Sequence, residues 1–508
     1  MRNSGILMHI TSLPGAYGVG TMGKEAYRFV DFLEEAGQSY WQILPLTPTG
    51  YGDSPYQSCS TFAGNHYLID LDQLIEQGLL EKQEVESCHW SVTEQRVDFG
   101  LLYQSRLSVL RKAFDRFEET EEFRSFCRKQ KAWLPDFALF MALKQKFEGM
   151  PWYLWEDAIK FRKPAALKKY RAELKDEMNF YCFLQYLFYS QWEALRDYAH
   201  GKGIKIIGDV PIYVPYDSVE VWTDPAMFLL DQDLNPEAVA GCPPDYFSED
   251  GQLWGNPLYR WDVHKEQNFA WWVQRMAAAG ERYDVVRLDH FRGFEAYWAV
   301  PFGDKTARGG QWLKGPDMDF VNAMKTQLPR VAMIAEDLGM MTQEVYDLRD
   351  ASGYPGMKVL GFAFDSEEPC EHLPHMYIPN TVCYTGTHDN MTSRQWLDTA
   401  SEKAVRYAAE YMNLTPQEGY VWGMIRTAMA SVSDLCVIPM QDYLELGEEG
   451  RMNLPGSQTD KNWTWRATGG YLYPGLAQRI HRLTKIYGRL AEKEETGEVE
   501  CNWIVKRF

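Results

Sequence analysis

The 508-residue chain lacks any cysteine framework. Its nine cysteines, at 59, 88, 127, 182, 242, 370, 383, 436 and 501, are odd in number, widely scattered and never spaced C-x-x-C. That excludes a disulfide scaffold and a zinc ribbon, and reads as reduced thiols of a cytoplasmic protein. Long apolar runs are missing too. The most apolar stretch, FYCFLQYLFY (180–189), is about half of a membrane span and holds Gln185. The N-terminal run MRNSGILMHITSLPG has no small-residue cleavage site, so no secretory leader is expected. Positive charge is in deficit, with 52 Lys and Arg against 71 Asp and Glu for a net of −19. Such a field disfavours nucleic acid and anionic membrane surfaces as partners and suits a neutral ligand. No Gly-rich phosphate loop follows an apolar run, no acidic cluster has the form of an EF-hand, and neither repeats nor low-complexity segments occur. No metal or organic cofactor is expected.

What the chain does have is apolar and aromatic mass. Hydrophobic residues make up 45% and charged residues 24%, the balance of a globular protein with a large core. Aromatics reach 14%, which serves core filling or, equally, stacking platforms for flat ligands. Eight near-continuous apolar runs read as strands buried on both faces: 5–10, 40–46, 204–214, 284–290, 331–337, 358–364, 381–389 and 435–444. Amphipathic helical patterns at 25–37, 184–203 and 268–280 lie between them, each stopping at a glycine. The alternation predicts an α/β fold, a (β/α)8 TIM barrel; a doubly wound open sheet would alternate likewise but lacks its phosphate loop here. Two connections exceed simple crossovers. Residues 65–180 read as a mainly helical insertion, and 215–282, rich in Asp, Pro, Gly and aromatics, as a loop-rich insertion at the rim. With few residues after the eighth run, no C-terminal β-sandwich is expected.

The polar residues gather at the ends of the fourth, fifth and seventh runs, where barrel active sites are built. VVRLDHFRGF (285–294) carries Arg287 and Asp289, two apart and therefore on one side of a strand. A guanidinium there favours an ionised Asp289, although an ordinary ion pair closing the barrel end would look the same. IAEDLG (334–339) supplies Glu336 and Asp337, and TGTHDN (385–390) supplies His388 and Asp389. One such acid alone is commonly a helix cap or loop ligand. Three on three strand ends suit glycosidic bond cleavage, which needs one carboxyl protonated for the leaving oxygen and another ionised to attack the anomeric carbon.

These motifs, together with SGILMHITSLPG (4–15), SPYQSCSTFAGN (54–65), GDVPIYV (208–214), the 239–261 loop, RMNLPG (451–456) and NWTWR (462–466), span nearly the whole chain. In them the sequence resembles the 4-alpha-glucanotransferases of glycoside hydrolase family 77, the amylomaltases or disproportionating enzymes, relatives of the α-amylases. The resemblance implies transfer of α-1,4-glucan segments between maltooligosaccharides by double displacement. By position it makes Asp289 the nucleophile, Glu336 the general acid and base, and Asp389 the stabiliser of the distorted donor ring. It implies support from Arg287 and His388, stacking of Tyr56 beneath the donor ring with Ser54 nearby, and a hydrogen bond from Asp209 to a donor hydroxyl. Tyr246 and Trp254 would cover the acceptor side, and Asp365 is a further sugar-binding candidate. Packing of the rim loop is the competing role for the aromatics, as a backbone turn is for Asp209. After GTHDN the family commonly continues Asp-Thr, where this chain has Met391-Thr392.

Two other functions fit the same acids: an α-amylase-type retaining hydrolase, and a non-catalytic glucan-binding barrel. Against the first stand the missing β-sandwich and RMNLPG with NWTWR; against the second, the presence of all three acids.

Overall fold

Runs such as Val285–Leu288 and Thr381–Tyr384, with every residue buried, satisfy their backbone only in a sheet covered on both faces. The computed structural model describes residues 2–491 apart from 51, 245–247, 366, 367, 369 and 458. Eight such strands form one parallel sheet: Asn3–Leu7, Tyr40–Gln42, Lys205–Val210, Val285–Leu288, Ala332–Ala335, Gly356–Val359, Thr381–Tyr384 and Leu435–Pro439. Each lies within or overlaps one of the eight predicted runs. The third stops short of its run's end where Pro211, after Val210, removes a ladder donor.

Neighbours in the sheet follow chain order, and the eighth strand pairs with the first. The seam between the fifth and sixth strands is drawn together by two bonds. Ala335 N–H reaches the Pro355 carbonyl at 3.0 Å, and Met357 N–H reaches Asp337 Oδ1 at 2.6 Å. The sheet thereby comes close to full closure as the predicted barrel, with helices around it. Strand alternation separates the two acids of IAEDLG. Glu336 turns toward the mouth, whereas Asp337 meets Arg349 at 2.6 Å on the seam.

The connection after the second strand holds helices Phe99–Arg116, Glu121–Lys129, Leu134–Lys146 and Pro164–Glu173 ahead of the long helix Lys175–Gly201. That helix begins well before the 184–203 pattern, its acidic first turn of Asp176 and Glu177 suiting the positive end of the helix dipole. At the rim, Gln252–Pro257, Ala238–Cys242, Ala296–Pro301 and Gln311–Lys314 form a four-stranded antiparallel sheet in that spatial order. The sequence reading does not anticipate it, because its strands are short and the fourth barrel strand interrupts them in the chain.

At the opposite end of the barrel, the fully buried Arg489 donates to the carbonyls of Asn3, Met429, Ser431 and Ser433. It ties the end of the described chain to the first strand. Among the described residues no strand follows Leu435–Pro439, and no helix is long and apolar enough to cross a membrane.

Asp337→Ala leaves the Met357 N–H without its acceptor in a buried place and takes from Arg349 its buried carboxylate, leaving only the exposed Asp350. It is expected to cost about 3 kcal/mol of stability, read as a lower urea midpoint.

Candidate active site

The site is organised around one guanidinium. Asp209 and Arg287 are direct partners in the register of the third and fourth strands, so both side chains point into the mouth. Arg287 Nη1 lies 2.7 and 2.9 Å from the two Asp209 oxygens and 2.8 Å from Asp289 Oδ1. The carboxylates hold Arg287 well above its usual proton affinity, although burial works against its charge. Asp209, 2% exposed, is lifted by burial to about 7 against the pull of Arg287. Its oxygens are engaged by Arg287 and by the Tyr56 hydroxyl, which donates to Oδ2 at 2.9 Å. Asp289, its side chain 27% exposed, presents itself to the open mouth.

Glu336 occupies a different environment. Its Oε2 accepts from His290 N–H at 2.7 Å and its Oε1 from Leu338 N–H at 3.0 Å. The first bond depends on His290 adopting a left-handed backbone, φ 51°, directly after Asp289. Burial pushes the Glu336 carboxyl up to about 8; Arg287 opposes the shift and the Asp289 charge adds to it. Two carboxyls within electrostatic reach of one another thus have opposite settings, one salt-bridged and open to solvent, the other buried and inclined to keep its proton.

Asp389, with 41% of its side chain exposed, comes to the same mouth from the end of the seventh strand. Asn453 Nδ2 donates to its Oδ1 at 2.7 Å, and His388 Nε2 lies 3.4 Å from Oδ2. Burial lowers the proton affinity of His388 and favours the neutral ring. Tyr56 stacks on that ring with centroids 5.2 Å apart and planes 13° apart, and Trp463 packs against both. Burial, with the charges of Asp209, Asp289 and Asp389, raises the Tyr56 hydroxyl far above the usual phenol range, Arg287 opposing. One ring therefore senses the carboxylates of the third, fourth and seventh strands together.

The remaining expected residues divide. Ser54 builds the turn that presents Tyr56: its Oγ accepts from Tyr56 N–H at 3.2 Å and its carbonyl from Gln57 N–H at 3.1 Å. Trp254, on rim strand Gln252–Pro257, sets its indole edge-on to His290 at 4.9 Å. Tyr246 lies outside the described residues. Asp365 is exposed and accepts a hydrogen bond from the Trp396 side chain. Sequence reasoning missed three contributors: Asn453, Trp463 and the backbone of His290. The first two sit in RMNLPG and NWTWR, motifs whose length and polarity in a loop were the available signal. The third leaves none, because a histidine in a left-handed conformation looks like any other in sequence.

Paired carboxyls in opposed settings, one beside a guanidinium and one buried, at the strand ends of a parallel barrel, are what retaining cleavage of a glycosidic bond demands, which places the protein among the glycoside-active barrel enzymes. Residues 8–471 match the family Glyco_hydro_77, 4-alpha-glucanotransferase. The chain is 50% identical to the 4-alpha-glucanotransferase of Clostridium butyricum, covering 95% of this chain and all of that one. It is 47% identical to that of Thermus thermophilus, with 96% and 99% covered. Among solved structures, the amylomaltase from Streptococcus agalactiae in complex with acarbose superposes with a TM-score of 0.94 at 42% identity, covering 97% of this chain and all of that one. The amylomaltase of Corynebacterium glutamicum shares the fold, with a TM-score of 0.78 at 19% identity over 95% of this chain and 75% of that one. The chain belongs to the 4-alpha-glucanotransferases of glycoside hydrolase family 77, retaining enzymes that act on α-1,4-glucans.

Asn453→Asp would set a second carboxylate against Asp389. Transfer activity at neutral pH is expected to fall on the order of a hundredfold as Asp389 is displaced, with little change in thermal midpoint, measured as glucose released from maltotriose.

Proposed function

We propose that Asp289 is the nucleophile, Glu336 the acid and base, and Asp389 the stabiliser of the donor ring in disproportionation of α-1,4-glucans. The observation that carries this is the contrast between the Arg287-paired, open Asp289 and the buried Glu336, which burial pushes up to about 8. In the first step an Asp289 oxygen bonds to the anomeric carbon while the glycosidic bond breaks. The Glu336 proton goes to the departing sugar oxygen. In the second step Glu336 takes the proton of an incoming 4-hydroxyl, whose oxygen displaces Asp289 and restores the α configuration. Asp389, held through one oxygen by Asn453, keeps the other for the hydroxyls of the donor ring, where its bonds strengthen as the ring flattens.

Tyr56 and His388 form the floor of the donor site. Arg287 with Asp209 holds Asp289 in register, so Asp209 acts on the sugar through Arg287 and Tyr56. Ser54 shapes the Tyr56 turn, Trp254 walls the acceptor side, and Asp365 serves a further sugar. The acceptor outcompetes water because it is held in attack geometry against an aromatic wall. The reduced, scattered cysteines and acidic charge support a cytosolic enzyme handling maltooligosaccharides.

Incubation with maltotriose is expected to yield glucose and a ladder of longer maltooligosaccharides; a hydrolase would give shorter sugars only, and a binding protein no products. Asp289→Asn and Glu336→Gln should each lower kcat by about a thousandfold or more, and an Asp289→Asn enzyme of wild-type activity would reject the assigned nucleophile. Because the raised pKa keeps Glu336 protonated at neutral pH and its proton is lost as pH rises, kcat/KM should decline through about pH 8. A flat alkaline profile would remove Glu336 from the acid role.

A further inference from the structure

Beyond the residues already assigned, the rim sheet holds a partly exposed tryptophan whose setting the catalytic trio does not explain. Trp312 lies on the edge strand Gln311–Lys314 and is 37% exposed. Its partner in register is Trp298, whose indole meets it edge-on at 5.2 Å and is itself fixed by a 2.8 Å bond to the Ala307 carbonyl. The Arg292 guanidinium sits over the Trp312 ring, 3.8 Å from its centroid. A cation so placed on an aromatic face fixes the ring's attitude.

The anchors of this ring are also those of the acid. Glu336 is cradled by two backbone segments, through His290 N–H and Leu338 N–H. Two residues further along each, the same segments meet again, where Arg292 donates to the Met340 carbonyl. Trp312 roofs that junction, and Met340, 55% exposed, lies beside it. Glu336 delivers its proton to the leaving oxygen, so the segments behind its carboxyl border the sugars on the leaving and incoming side of the scissile bond. A pyranose has a flat, largely apolar face that covers an indole while its equatorial hydroxyls remain in water. A fixed, half-open tryptophan in this place suits such a ring.

We propose that Trp312, clamped by Arg292, is a stacking platform for a glucose unit of the acceptor chain at least one ring beyond the unit that attacks the intermediate. It is thus a determinant of acceptor length. The inference rests on the roles given above to Asp289 and Glu336.

The test measures transfer from a fixed amylose donor to glucose and to maltotriose as acceptors, in the wild type, Trp312→Ala and Trp312→Phe. In Trp312→Ala, KM for maltotriose should rise at least fivefold, with kcat within twofold of wild type and KM for glucose unchanged. Trp312→Phe should recover most of the loss, because a flat ring remains. Should the Ala variant fail to fold, Trp312→Leu keeps the apolar bulk on the strand without the ring, and the same split is expected. An unchanged KM for maltotriose overturns the proposal. So does an equal loss with both acceptors, or a fall in kcat alone, which would make the Arg292–Trp312 stack a brace for the Glu336 segments. A wild-type enzyme that transfers to neither acceptor would overturn the functional assignment itself, an outcome separate from these.

Discussion

The site depends on a single positive charge at the mouth of the barrel. Arg287 is buried, and a buried cation is costly unless acceptors meet it at bonding distance; here they are carboxylates. Asp209 supplies two oxygens and Asp289 one, at 2.7 to 2.9 Å. The ion cluster spans the third and fourth strands and extends through the Tyr56 hydroxyl into the 54–65 turn. Strand register, the Tyr56 hydroxyl and the salt bridge of Asp289 therefore meet at one group. The arrangement also sets Glu336 apart: it lies near enough to feel both Arg287 and Asp289, and its burial is the larger influence.

A second layer of the design is backbone. The Glu336 carboxyl is held by N–H groups of two loops, and the His290 N–H reaches it only because that residue takes a left-handed conformation. Strain of this kind persists where packing enforces it, and here the Trp254 indole packs edge-on against the His290 ring. The rim sheet thus supports the His290 turn through Trp254. The chain's remote end contributes as well: Asn453 and Trp463 fold back to grip the His388–Asp389 turn, with Asn453 N–H on the His388 carbonyl at 3.1 Å.

Much of this could be read in advance. The eight barrel strands announced themselves as apolar runs because a parallel sheet wrapped in helices has no wet face, and each acid was visible as a polar residue ending such a run. Arg287 beside Asp289 followed from alternation along one strand. Neighbouring strand ends were harder. The sequence offers Asp209 a sugar hydroxyl or a backbone turn; its bonds to Arg287 and Tyr56, 78 and 153 residues away in the chain, are not legible there. Asp337 stood next to Glu336 in sequence and equally plausible, yet it turns to the seam and Arg349.

The sequence by itself determined which residues end up buried, where the strands run and which side chains could do acid chemistry, because hydrophobic period and residue type are local properties. Only the tertiary structure decided which carboxyl is driven to keep its proton and which sits open beside a cation. That difference is made by desolvation and by neighbours brought in from distant strands, and neither is written in the residues on either side.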